Sequence, residues 1–296
     1  MSHKISVGTW AFCFGPYLNN PIPLDVVLEE SARLNFDGVS LGGFKPHAHP
    51  DLYPTTGDRK KLVKRIADCG LEVAEYGSDL WSLDALTQTK DYLDLYTKFL
   101  HMAADCGFSM IRVDSGHPPI LPAGMSLPTA KEIVVDVFRK MADLASPYGI
   151  TVVWEFEPGF LFNKPSEIIS MSDWVDRSNF MYMLDSCHAH MCASVGARQM
   201  GGKETLKDGE IELISRLKGR IKIVHLIDSD NTLHDEDTST HAPFGTGVID
   251  FPKVIEVIMR TEYKGPWFVL DLCFWPDAWN VVRESKSFLD RLLMNV

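Results

Sequence analysis

The chain has 296 residues, with 29 Lys+Arg against 40 Asp+Glu and a formal net charge of −11. At 45% apolar and 23% charged residues it has the composition of a folded globular protein, not a disordered or fibrous one. The acidic balance opposes nucleic-acid binding, which normally needs a basic footprint; no apolar run reaches the ~18 residues of a membrane helix.

Apolar runs of strand length alternate with longer amphipathic stretches. Residues 5–12 predict a first strand and 24–34 a helix, through the spacing of Val27, Leu28 and Leu34. Residues 38–44 and 59–69 repeat the pair, as do 71–76 and 91–106. A fourth strand at 110–114 precedes a helix at 129–144, and a fifth at 150–156 precedes a shorter helix at 166–175. Residues 180–185 predict the sixth strand, with a helix ending near Leu217. Residues 221–227 and 251–260 form the seventh unit, and 267–272 and 278–293 the eighth.

Strand-then-helix alternation implies parallel pairing through right-handed crossovers. Eight such units in one chain predict an α/β fold, a (β/α)8 TIM barrel, as a single domain over 1–296. A doubly wound open sheet is disfavoured, because Gly8-Thr9-Trp10-Ala11 stands where a Gly-x-Gly-x-x-Gly turn would follow the first strand. The long irregular segments 46–56, 115–126 and 228–248 each follow a strand. In a barrel they rise from the C-terminal face, where active sites sit.

The six cysteines are scattered, with no Cys-x-x-Cys pair to suggest a zinc ribbon or redox motif. They read as reduced core residues. Met1-Ser2-His3-Lys4 runs into a strand pattern with no charged-then-apolar leader, so the expected location is the cytoplasm, away from membranes.

Acids and a histidine mark the ends of the later strands. In Thr151-Val152-Val153-Trp154-Glu155-Phe156-Glu157, alternation puts Glu155 and Glu157 on the face of Val153. Asp185 closes the sixth strand, with His188 three residues on. His225 sits inside an apolar seventh strand, and Asp271 interrupts an apolar eighth. A lone carboxylate in such a run is costly unless it has a partner. Glu155, Asp185, His225 and Asp271 on four successive strands form an oxygen-rich set suited to one divalent ion, Mn²⁺ foremost, with Mg²⁺, Co²⁺ or Zn²⁺ as alternatives.

The chain resembles the xylose-isomerase-like sugar isomerase/epimerase superfamily. The resemblance is carried by Trp154-Glu155-Phe156-Glu157-Pro158-Gly159, Leu184-Asp185-Ser186-Cys187-His188, Val224-His225-Leu226 with Asp228, and Phe244-Gly245-Thr246-Gly247-Val248-Ile249-Asp250-Phe251. It implies a metal held by Glu155, Asp185, His225 and Asp271, with His188 and His241 contacting a sugar substrate. It implies proton abstraction beside a keto-sugar carbonyl through a metal-stabilised enediolate, with Glu155 and Asp271 as catalytic candidates; Glu157, on the same strand face as Glu155, is this chain's own further candidate, as a different base or a structural ion pair. Two departures matter: Asp271 stands where the family usually has Glu, which counts against two-base epimerisation, and Glu157 stands where relatives often carry His.

The alternative outcome is elimination, as in inosose dehydratases or the α-subunits of C-glycoside deglycosidases, which work beside a smaller partner subunit. Trp10 and Phe12, and the loop histidines His47, His49 and His117, are expected near the substrate. A homo-oligomer is expected from the fold type. A catalytically silent barrel subunit is the competing non-enzyme reading. A three-zinc endonuclease relative is opposed by the net charge, and a Ser-His-Asp hydrolase by the lack of a Gly-x-Ser-x-Gly elbow. A phosphate-binding loop of the Walker type is likewise missing.

Overall fold

A computed structural model of the chain describes residues 3–294. The expected extent of 1–296 takes in residues 1, 2, 295 and 296, which lie outside the described residues. The chain begins β1 (Lys4–Gly8), α1 (Leu24–Arg33), β2 (Gly38–Gly42), α2 (Thr56–Asp68), β3 (Glu72–Gly77) and α3 (Thr89–Cys106). It continues through β4 (Met110–Val113), α4 (Leu127–Ala145), β5 (Thr151–Glu155), α5 (Pro165–Val175) and β6 (Phe180–Asp185). Then come α6 (Ser186–His190), α7 (Gly209–Arg216), β7 (Ile221–Leu226), a hairpin of β8 (Asp228–His234) and β9 (Thr238–Ala242), α8 (Phe251–Arg260), β10 (Trp267–Leu270) and α9 (Ala278–Leu293).

Strands β1 to β7 and β10 close into a parallel barrel, with β1 paired to β2 on one side and β10 on the other. This is the (β/α)8 architecture read from the strand–helix alternation. The helices pack apolar faces on the barrel; α4, for example, buries Ala130, Val134, Val137, Phe138, Met141 and Ala145 at helical spacing. Ser126 caps it by accepting the Thr129 amide, and Pro128 sits in its first turn. Among the described residues no helix is long and apolar enough to cross a membrane.

The local differences from expectation have physical causes. The first strand ends at Gly8 and residues 9–12 form a 3-10 turn. A Cβ on Gly8 would lie 2.3 Å from the Trp10 indole, so glycine lets that ring fold back over the strand end. The helix after the sixth strand is split into α6 and α7. The segment 228–248, read as irregular, holds the antiparallel hairpin β8–β9. The eighth barrel strand stops at Leu270, so Asp271 lies just past it, with its amide donating to the Leu226 carbonyl at 3.3 Å.

The barrel interior is layered. Ala74, Met110, Val153, Met183, Ile223 and Val269 pack with Trp267 into one apolar layer. Side chains alternate along a strand, so the next inward position is two residues on. That position is Arg112 after Met110, Glu155 after Val153, Asp185 after Met183, His225 after Ile223 and Asp271 after Val269. A polar ring thus caps an apolar plug at the C-terminal end of the strands.

Candidate active site

A cavity of about 420 Å³ opens above this ring. Its floor includes Arg112, Glu155, Glu157, His188, His241 and Asp271, and its walls include Trp10, Phe14, Trp81, Phe160 and Phe274. Asp185 and His225 are buried beneath the cavity and do not line it. The β8–β9 hairpin forms one wall through Asp237, Thr238 and His241. It is fastened by Thr238 Oγ1 donating to Glu157, by a 2.9 Å contact between Ser239 Oγ and His188 Nδ1, and by His234 stacked on Phe274 with ring centroids 3.9 Å apart. A larger groove of about 920 Å³ runs outside the barrel along α8 and α9, between apolar residues such as Ile255, Met259 and Phe288.

The ring is densely bonded. Arg112 donates to Glu155 Oε2 in a buried ion pair. His225 is held at both ring nitrogens, Nδ1 by Asp271 Oδ2 at 2.7 Å and Nε2 by Glu75 Oε1 at 2.7 Å. Trp10 Nε1 donates to Asp271 Oδ1 at 2.7 Å, and the indole stacks on the His225 ring at 5.7 Å. His188 Nε2 lies 3.6 Å from both Glu155 Oε1 and Glu157 Oε2. The His188 amide donates to Asp185 Oδ1 at 2.7 Å.

Burial and crowding set the protonation of these groups. Burial alone would lower His225, but the carboxylates of Glu75 and Asp271 outweigh it and raise it to about 10. Burial would raise Asp271, yet His241 and His225 hold it well below the usual carboxylate range. Burial, then the neighbouring Glu155, pushes Glu157 up to about 8. Burial also lifts Asp185 to about 7, with Asp271 adding to the rise. His188 is driven well below its ordinary value, first by burial and then by His241, so its imidazole is neutral.

These donors fit a divalent ion. Asp185 Oδ2 is buried without a hydrogen-bond partner, whereas His241 Nδ1 lies 3.4 Å from Asp271 Oδ1. A buried lone pair left empty is costly, and a cation would satisfy it. Glu155, His225 and Asp271 present ligand atoms within 4.8 Å of one another, Asp185 forms a separate such set with Cys187 and His241, and Asp271 another with His241 and Cys273; an ion held by His225 would displace the Nδ1 proton that the ring shares with Asp271. Arg112 supplies compensating positive charge to Glu155.

The structure therefore brings together Glu155, Glu157, Asp185, His188, His225, His241, Asp271 and Trp10 at one rim. It does not bring the loop histidines there. His47 is buried, with Nε2 at 2.8 Å from the Ile22 carbonyl. His117 bonds the Ile120 carbonyl through Nε2 at 2.6 Å and lies 2.9 Å from Asp84 through Nδ1. Phe12 packs on Trp279 at 4.0 Å, in the core. One ring member, Arg112, and one residue beneath the ring, Glu75, escaped the sequence reading. Arg112 had the same signal as His225, a charged residue inside an apolar strand. Glu75 had none, because a shift in the β2–β3 register sets its direction.

A parallel eight-stranded barrel with an acid–imidazole ring and an aromatic-walled cavity at its C-terminal rim defines the class of protein. The chain belongs to the xylose isomerase-like TIM barrel family, whose model matches residues 28–292. It is similar to an inosose dehydratase of Bacillus cereus, 25% identical over 257 residues, covering 79% of each chain. In fold it is similar to D-psicose 3-epimerase from Clostridium cellulolyticum, with a TM-score of 0.72, 16% identity and 98% of each chain covered. It also resembles the IOLI protein, a structure with a bound zinc atom, at a TM-score of 0.74 and 17% identity over 99% of this chain and 98% of that one.

Proposed function

We propose that this chain is a divalent-metal-dependent enzyme that removes the proton next to the carbonyl of a keto-sugar or related polyhydroxylated ring. The observation that carries the reading is the ring itself: Glu155, His225 and Asp271 present ligand atoms within 4.8 Å of one another, and beside them Asp185, grouped with Cys187 and His241, has a buried oxygen without a hydrogen-bond partner. Glu155, Asp185, His225 and Asp271 would hold the ion, with Mn²⁺ the first to test given the oxygen-rich set. An ion there supplies Lewis-acid polarisation of the carbonyl and stabilises negative charge developing on its oxygen.

The remaining work falls to the chain. His188 Nε2, neutral and 3.6 Å from the two glutamates, is placed to exchange a proton with Glu155 or Glu157. The Ser239 contact fixes the orientation of the His188 ring. Trp10, Phe14 and Phe274 exclude water and offer faces for a sugar ring. Returning the proton to the neighbouring carbon gives isomerisation, and returning it from the opposite face gives epimerisation.

A second reading, elimination of a β-hydroxyl, is favoured by one observation. Both oxygens of Asp271 are engaged, Oδ1 by Trp10 and Oδ2 by His225. An acid so held is a poor second base, and opposed two-base epimerisation needs one. The relatives described as inosose dehydratases accord with this outcome. The test is a panel of ketoses and ketocyclitols in D₂O with Mn²⁺, followed by proton NMR. Exchange of the C–H next to the carbonyl, with or without loss of water, supports the reading. No exchange on any compound, with the ion bound, would refute it.

A further inference from the structure

Strand β3 carries a carboxylate where side-chain alternation places none. Ala74 belongs to the apolar layer, so the next inward residue by alternation is Tyr76. Tyr76 instead faces the helices, bonding the Ala48 carbonyl at 2.7 Å and packing near Phe99. The β2–β3 register explains this: Val39 pairs with Val73, but Ser40 pairs with Glu75, so Ala74 is an extra residue in β3. Such a bulge re-aims a side chain. Here it turns Glu75 into the barrel, under the polar ring.

Glu75 is buried, and its Oε1 lies 2.7 Å from His225 Nε2 while Oε2 is buried without a hydrogen-bond partner. A carboxylate so placed is costly for stability alone. What it achieves is orientation. With Nε2 held by Glu75, the other ring nitrogen, Nδ1, faces Asp271 at 2.7 Å. A histidine that binds metal through one nitrogen commonly has the other fixed by a carboxylate.

We propose that Glu75 is a positioning residue, a buried carboxylate delivered by the β3 bulge that locks His225 with Nδ1 turned toward Asp271 and Glu155. The inference rests on the reading that His225 helps hold a divalent ion. The test compares Glu75→Ala and Glu75→Gln with wild type by Mn²⁺ calorimetry, the visible spectrum of the Co²⁺ form, and ¹⁵N-histidine NMR of the metal-free protein. Glu75→Ala is expected to weaken Mn²⁺ binding by about 10- to 100-fold and to alter the Co²⁺ spectrum. Glu75→Gln keeps an acceptor for Nε2–H and is expected to lose less.

An unchanged Kd and Co²⁺ spectrum in folded Glu75→Ala would overturn the proposal. If that variant does not fold, Glu75→Leu, which fills the space without an acceptor for Nε2–H, decides by the same two readouts. If wild type binds no ion, the metal reading fails separately. The ring N–H signals of His225 then decide on Glu75: a changed Nδ1–H signal in the variants supports the lock, and an unchanged one overturns it.

Discussion

Asp228 offers a stringent test of how the rim is built. Its Oδ1 accepts the amides of Ser229 at 2.9 Å and Ile249 at 3.1 Å, and its Oδ2 those of Gly245 and Gly247, both at 3.0 Å. The carboxylate thereby ties the start of β8 to the loop that follows β9, the strand carrying His241. Gly247 is required for this closeness, since a Cβ there would lie 2.4 Å from Asp228 Oδ1. Asp228→Asn keeps the shape but turns one oxygen into an NH₂ group facing two N–H donors. Two charge-assisted bonds at ~1.5 kcal/mol or more each, plus the donor–donor conflict, predict a loss of about 3–5 kcal/mol. Urea unfolding followed by tryptophan fluorescence should show a lower midpoint at unchanged slope. A loss below about 1 kcal/mol would mean that the loop amides turn to water without cost, and would refute the claim that Asp228 fastens this wall.

Three further outcomes are expected. Arg112→Met strips the buried partner from Glu155 and should cost about 3–5 kcal/mol in metal-free protein by urea unfolding, whereas a cost under about 1 would contradict the pairing. Trp10→Phe removes the donor 2.7 Å from Asp271 Oδ1 and should weaken Mn²⁺ binding by about 10-fold in calorimetry, with an unchanged Kd counting against that role. The third concerns the pair of His190 Nδ1 and Glu210 Oε2, 3.1 Å apart on the outer side of the site. Against the effect of burial, the bonds to Glu210 and Asn231 raise His190 above 6.5, while those from His190 and Ser194 lower Glu210 below 4.5. The histidine's contribution is full below 6.5 and fades as pH rises through its raised value; the glutamate's is full above 4.5 and fades as pH falls through its lowered one. The stability gap between wild type and Glu210→Gln should thus be widest between pH 4.5 and 6.5 and narrow at higher pH; a flat or inverted profile would contradict the pairing.

The alternation of strand and helix was legible because a parallel barrel buries each strand on both faces and each helix on one. The polar ring was partly legible for the same reason: Glu155, Asp185, His225 and Asp271 stand out in apolar runs at a fixed offset from the layer below. Arg112 shares that offset and could have been found by it. Glu75 could not, because a bulge is set by pairing between strands and breaks the period-two pattern along one of them. The β8–β9 hairpin was hidden by its polar sequence, Asp228-Ser229-Asp230-Asn231-Thr232 on one arm and Thr238-Ser239-Thr240 on the other, which reads as loop. The directions of His47 and His117 depend on loop paths and on the carbonyls of Ile22 and Ile120, which no local spacing encodes.

A divalent ion held at the rim by Glu155, Asp185, His225 and Asp271 is the core of the proposed chemistry. Elemental analysis of the purified protein beside an Asp185→Ala/His225→Ala double variant tests it most directly, with circular dichroism to confirm that both are folded. About one divalent ion per chain is expected in wild type and none in the folded variant. A wild-type protein that binds no ion after incubation with Mn²⁺, Mg²⁺, Co²⁺ and Zn²⁺ in turn, or a variant that keeps its ion, would contradict it.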